Sequence, residues 1–169
     1  DLQIGIKKSI AVINFKNDTG NEEGNFDCAG ISVYIRSVLS KIGKLDVKSR
    51  HASLKENIND LDIDYYIEGS LSEIGGSRNI NTRLVNAKSE SILWDNQYPF
   101  GDDQILAYQD TIIKNILIEL KIDHSENELT SNAYVYKNAE IFQLIGAGIY
   151  HFDNKNYTAA IKAFNSVLA

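Results

Sequence analysis

Residues 10–49 read IAVINFKNDTGNEEGNFDCAGISVYIRSVLSKIGKLDVKS, and this stretch decides the fold. Ile10 to Phe15 is a short, almost continuous apolar run, the pattern of a strand covered on both faces. A polar, glycine-bearing stretch follows, Lys16 to Asn25. Ile31, Tyr34, Ile35, Val38, Leu39 and Ile42 then recur at helical spacing, and Gly43 is placed to stop that helix. Leu45 to Arg50 reads as a second strand. Strand, helix and strand in about 40 residues make a βαβ unit, whose two strands are expected to be parallel with a right-handed crossover.

Downstream the period changes. Ile63 to Ile74 is rich in tyrosine and isoleucine, Gly75-Gly76-Ser77 is a turn signal, and Asn79 to Ala87 alternates. Lys88-Ser89-Glu90 makes another turn before Ser91 to Phe100, where Trp94 and Tyr98 share a face. The expectation is an antiparallel meander of Tyr65–Leu71, Ile80–Val85 and Ile92–Tyr98, closed by Pro99. An amphipathic helix follows, with Ile105, Gln109, Ile112, Ile113, Ile116, Leu117 and Leu120 in one stripe and Asp102-Asp103 at the favourable end of its dipole. Beyond the polar stretch Asp123 to Ser131 the pattern is wholly helical, broken at Asp153-Asn154-Lys155-Asn156. The fold class is therefore mixed α/β (α+β): a mixed five-stranded sheet with packed helices, then a helical hairpin. The expected division is an α/β domain over 1–122, a linker over 123–133 and the hairpin over 134–169.

Only His51 to Asp62 separate the second strand from the third, with Ile58 and Leu61 as the sole apolar anchors. Crossovers commonly take a dozen or more residues including a helix. The expectation is a missing loop near Leu54–Lys55, and the alternative is a shortened crossover.

The chain has 169 residues, of which 43% are hydrophobic and 24% charged, an ordinary globular composition. Its formal net charge of −6 and the lack of any basic run argue against a nucleic-acid backbone as partner. No apolar run approaches the roughly 18 residues of a membrane span, so no membrane contact is expected from this chain itself. One cysteine, Cys28, allows no internal disulfide or zinc site and leaves the redox compartment open. A start at Asp1 and the lack of methionine suit a processed product or a piece of a longer protein.

Two resemblances add to this reading. Leu144, Ala147, Gly148, Tyr157, Ala160, Ile161, Phe164 and Leu168 fall at the spacing of a tetratricopeptide repeat, with His151 where a tyrosine is usual and Val167 where an alanine is usual. The resemblance implies further repeats in a parent protein, because a lone repeat buries too little of its faces. Residues 10–122 resemble the TolB amino-terminal-like family, which includes FlgO-type flagellar lipoproteins. Similar domains stand beside nucleotide cyclase or winged-helix modules in bacterial signalling proteins. The resemblance rests on Ile10 to Phe15 with Asn17 and Thr19-Gly20; Gly30-Ile31-Ser32; Leu39 to Ile42; Asp64-Tyr65; Glu68-Gly69-Ser70; Leu84, Ala87, Leu93-Trp94, Tyr98 and Gln109-Asp110. It implies a non-catalytic accessory domain, and the envelope side of a membrane is favoured over the cytoplasm.

The remaining motifs read as structure. Asp18-Thr19-Gly20 has the letters of an aspartic-protease loop but lacks the apolar lead-in and the second carboxylate that chemistry needs, so it reads as a turn. Asp60, Asp62 and Asp64 alternate like the start of a calcium loop, yet the sixth position is Tyr65 and the twelfth Leu71. Cys28 with His51, His124 or His151 has no spacing that marks a nucleophile and base, and the three histidines show no metal-ligand pattern. His151 is expected to pack between the hairpin helices. The sequence thus points to no catalytic residue, no metal and no cofactor. The candidate binding residues are Phe142, Ile145, Ile149 and Phe152, a second apolar face on the first hairpin helix. That face either docks onto the α/β domain or receives a partner peptide. The expected function is a non-catalytic protein-interaction or ligand-sensing module of a bacterial signalling or envelope protein, with a protein or peptide partner and room for a small ligand. The alternative is the regulatory portion of a nucleotide cyclase or DNA-binding regulator.

Overall fold

A computed structural model of the chain describes residues 5–49, 58–101, 105–125, 129 and 138–169. Two short strands open it, β1 (Lys8–Val12) and β2 (Lys16–Asp18), followed by helix α1 (Glu23–Leu39) and strand β3 (Leu45–Val47). A 3₁₀ turn at Ile58–Asp60 leads to β4 (Tyr65–Ile74), β5 (Ser77–Asn86) and β6 (Ile92–Pro99). Among the described residues, helices α2 (Ile105–Glu119), α3 (Ala139–Asp153) and α4 (Tyr157–Leu168) follow.

The sheet is mixed and runs β3-β1-β4-β5-β6, with β2 also on β4. β1 is parallel to β3 on one side, Ile10 opposite Val47, and to β4 on the other, Ile10 opposite Tyr65. The βαβ unit and the antiparallel meander are therefore as the sequence led us to expect. Gly75 and Gly76 both adopt positive φ between Ile74 and Ser77, the two-residue turn whose twist suits paired strands. At the next turn the Asn86 carboxamide oxygen accepts from the Lys88 and Ser89 N–H groups, and Glu90 takes the left-handed conformation.

Among the described residues the sheet has six strands, one more than expected. β2 carries no apolar signal; it forms because ten-residue β4 extends past β1 and offers Ser70–Ser72 to Lys16–Asp18. Between β1 and β2 the chain bulges: Ile13, Asn14 and Phe15 stand opposite only Glu68 and Gly69. The bulge turns Phe15 inward over Gly69, where any Cβ would strike the Phe15 ring and the Asn81 carbonyl oxygen. Ser32 anchors it, its Oγ accepting the Phe15 N–H at 2.9 Å.

Helix α1 starts two turns earlier than the apolar spacing suggested. Residues 23–30 include two glycines, an asparagine and an aspartate, all poor helix formers, yet Gly24, Asp27, Cys28 and Gly30 are buried. Packing on both sides overrides propensity there. Gly43 is not the stop: the helix ends at Leu39, where Ser40 returns its N–H and Oγ to the Arg36 carbonyl, and Gly43 has no positive φ.

The core lies between one sheet face and the helices. Ile67, Leu71, Ile80 and Leu84 point into it and meet Ile31, Ile35 and Val38 of α1 and Ile112, Ile113 and Ile116 of α2. Alternate residues Glu68, Ser70, Asn81 and Arg83 line a depression of about 240 Å³ on the other face. Asp102, Asp103 and the side chain of Ile105 lie outside the described residues, as do residues 50–57 with the Leu54–Lys55 connection, and most of the proposed linker over 123–133.

Candidate binding cleft between the sheet and the helical hairpin

The α3–α4 hairpin is seated on α1 through glycines. A Cβ on Gly146 would collide with the Phe26 carbonyl oxygen, so the two helix backbones touch. One turn away on each helix, a Cβ on Gly30 would lie 2.7 Å from the Phe142 ring, which takes the space that Gly30 leaves. Phe26 adds aromatic contacts, its ring 5.6 Å from Tyr150 and 5.4 Å from His151. α3 is started by Asn138, whose Oδ1 accepts from the Glu140 and Ile141 N–H groups. Its opposite side faces α4, where Gly148 gives room to the Phe164 ring.

The four residues singled out on α3 are not one surface. Phe142 is fully buried (0% exposed) in the main core, Ile145 and Ile149 are half-buried, and Phe152 is 49% exposed with its ring 5.7 Å from Tyr157 of α4. The face against α1 is centred on Phe142, Gly146 and Tyr150, about one residue round the helix from the expected stripe. Gly146 carries no side chain and Tyr150 is amphipathic, so helical period alone does not mark either of them. His151 packs against Phe26 of α1, their ring centroids 5.4 Å apart.

Where α3 meets the rim of the sheet, a cleft of about 340 Å³ opens, lined by Glu23 and Asp27 of α1, Arg78 of β5, Phe100, and Glu140, Phe142 and Gln143 of α3. Asp27 is 1% exposed and ion-paired to Arg78, whose guanidinium carbon stands 4.9 Å over the Phe100 ring. The pair was invisible in the sequence because its members are 51 positions apart. Glu23 and Glu140 sit in the first turns of α1 and α3 and are exposed.

The other candidate chemistry is occupied with structure. The Asn17 carboxamide ties the turn that contains Asp18-Thr19-Gly20, its Oδ1 accepting from Thr19 N and Oγ1 and its Nδ2 donating to Asn21 O and Asn25 Oδ1; Gly20 has φ +77. Asp64 joins β4 to β1, accepting from Ser9 N and Oγ at 3.0 Å, and that backbone hydrogen bond, with those of Ser9 Oγ and Lys88, lowers its pKa. Cys28 is buried with its Sγ donating to Lys16 O, and desolvation, reinforced by the Asp27 charge, pushes the thiol up to about 12. The sheet-face depression sets Lys16 and Arg83 beside Asp18 and Glu68, with Arg83 3.5 Å from Glu68. Among the described residues no three His, Cys, Asp or Glu side chains cluster as metal ligands, and no helix is long and apolar enough to cross a membrane.

Part of a solved structure shares this architecture. TolB from Acinetobacter baumannii superposes with a TM-score of 0.50 at 16% identity, over 68% of this chain and 28% of TolB. The fold is TolB-like. The LpoB C-terminal domain from Salmonella enterica aligns over 58% of this chain and 85% of that domain, with a TM-score of 0.45 at 14% identity. In sequence, the chain is 28% identical over 135 residues to a Rhizobium meliloti (strain 1021) protein whose name assigns it provisionally as adenylate cyclase 3. That alignment takes in 75% of this chain and 23% of the relative, so the chain spans about a quarter of the relative's length. No protein-family model matches the chain.

Proposed function

We propose that this chain is a non-catalytic recognition module of a bacterial envelope or signalling protein, and that the cleft between α1, β5 and α3 is its recognition site. The observation that carries the reading is that the cleft takes its walls from both the sheet domain and the hairpin. An occupant there touches two units whose seating depends on a glycine crossing, so binding can be felt by the hairpin. The TolB-like fold and the burial of Cys28 support the reading. The exposed side chains of Tyr157, Ile161 and Leu168 on α4 form a surface that a following pair of helices in a tetratricopeptide-like array would cover. A photo-crosslinking residue at Gln143, on the cleft, tests the reading in the native cell against the same residue at Asp95, on β6. A discrete adduct from position 143 and none from 95 is expected; equal or absent labelling at 143 overturns it.

A second reading, the regulatory portion of a nucleotide cyclase, is favoured by the Rhizobium relative. In that case too the chain itself turns over no ATP. Formation of cyclic AMP by the purified chain with ATP and Mg²⁺ or Mn²⁺ would refute both readings.

A further inference from the structure

We propose that the depression on the open face of the sheet is a site for a small, neutral, polyhydroxylated ligand such as a single sugar ring. This site stands apart from the cleft and does not depend on it. Its place follows from the topology. The chain leaves β1 for α1 and β3 on one side and leaves β4 for β5 on the other, so the strand order reverses between these parallel neighbours. In open α/β sheets such reversals, at the carboxyl ends of the strands, are where ligands bind. Here the carboxyl end of β1 passes into the bulge, and Ile13 and Asn14 form one wall of a hollow of about 240 Å³. The bulge makes the hollow, because Phe15 turns through to the core side over Gly69 and interrupts the row of outward side chains between β1 and β2.

That wall is held from within. Arg36 of α1 is 8% exposed, and its guanidinium donates to Val12 O at 2.7 Å and to Asn14 Oδ1 at 3.4 Å. The contact leaves the Asn14 Nδ2 group to offer a ligand. Across the hollow, Ser70 and Asn81 are register partners on β4 and β5, both half-buried. Lys16 and Asp18 of β2 add one charge of each sign, and Arg83 and Glu68 add an ion pair at 3.5 Å. The lining is thus balanced, with donors and acceptors interleaved. A carboxylate would meet Asp18 and Glu68, and an ammonium would meet Lys16 and Arg83. A hydroxyl both donates and accepts, so it can pair with every one of these side chains. The hollow lies below the roughly 300 Å³ at which ligand pockets commonly begin, and so takes one ring rather than a chain.

Titration of the ¹⁵N-labelled chain tests this, with D-glucose and myo-inositol as probes and sodium acetate and methylammonium chloride as charged controls. Each is taken to about 50 mM, enough to fill most of a site whose Kd is about 1 mM. Saturable shifts with at least one polyol, centred on the amides of Asn14, Lys16, Ser70 and Asn81, are expected. Acetate and methylammonium should give none that saturate there. Ser70→Ala/Asn81→Ala should weaken polyol binding by at least about fivefold, the loss of one or two hydrogen bonds. If the double variant loses its native spectrum, Ser70→Ala alone gives the readout. Lack of saturable shifts with both polyols, an equal response to either charged control, or unchanged affinity in the variant overturns the proposal. Gln143, the crosslinking position, lies on α3 on the helical side of the sheet, so the result is independent of the cleft.

Discussion

At the scale of single residues, Asp27 is the buried end of an ion pair with Arg78. Its carboxylate is buried and Arg78 keeps only a fifth of its side chain in solvent, 21%. Breaking a buried pair from one side costs about 3–5 kcal/mol, and the partial exposure of Arg78 places Asp27→Asn nearer 3 kcal/mol. Urea unfolding should show that loss, and Asp27→Leu/Arg78→Met should lose less than the sum of the single changes. Additive losses would mean that the two side chains do not act as a pair. Cys28 makes a second claim. Its native thiol ionises only near 12, against an ordinary value of 9.0, because burial disfavours the thiolate. Between those values the unfolded thiol gives up its proton while the native one keeps it, so the native state binds more protons and stability falls as pH rises. Cys28→Ala should flatten the stability profile above pH 9.0. Native protein should also resist iodoacetamide at neutral pH and react only on unfolding; rapid labelling of the folded chain would contradict this burial.

At the scale of elements, the hairpin's seat on α1 is a contact of backbones. Gly146→Leu places a side chain where the Phe26 carbonyl stands, and overpacking of this kind costs about 1–3 kcal/mol. The loss should be local. Hydrogen exchange of α3 and α4 should accelerate while the β4–β5 hairpin amides keep their protection. Acceleration throughout the sheet would show that the crossing holds more than the hairpin. Gly69→Ala is the counterpart inside the sheet, since Phe15 and the Asn81 carbonyl already fill the space. It should be worse tolerated than a change at Gly75 or Gly76 to asparagine, which adopts the positive φ those turn positions need.

At the scale of the whole molecule, the hairpin and the sheet domain share one core. Phe142 of α3 belongs to the same buried cluster as Ile10, Ile67 and Leu84. Thermal unfolding should therefore be a single transition, with Trp94 fluorescence in the sheet and far-ultraviolet helix signal changing together. Two separated transitions would show that hairpin and sheet domain are independent folding units, and would weaken the case for a cleft whose two walls respond together.

The elements whose signal is local were legible in the chain alone. The apolar run at Ile10, the period of Ile31 to Leu39, the glycine turn at Gly75-Gly76 and the helical break at Asp153–Asn156 each encode their structure in neighbours a few residues apart. These determined the parallel unit, the meander and the hairpin. Tertiary structure alone decided the rest. β2 exists because β4 overruns β1; α1 gains two turns because its poor helix formers are buried; and the face of α3 is set by which glycine meets Phe26. The cleft belongs to this second class. Asp27 and Arg78 are paired from elements far apart in sequence, and Glu23 and Glu140 reach one space only when the helices dock. Local propensity and period act over a few residues, whereas charge pairing and close packing act through space, and the candidate site is built almost wholly from the latter.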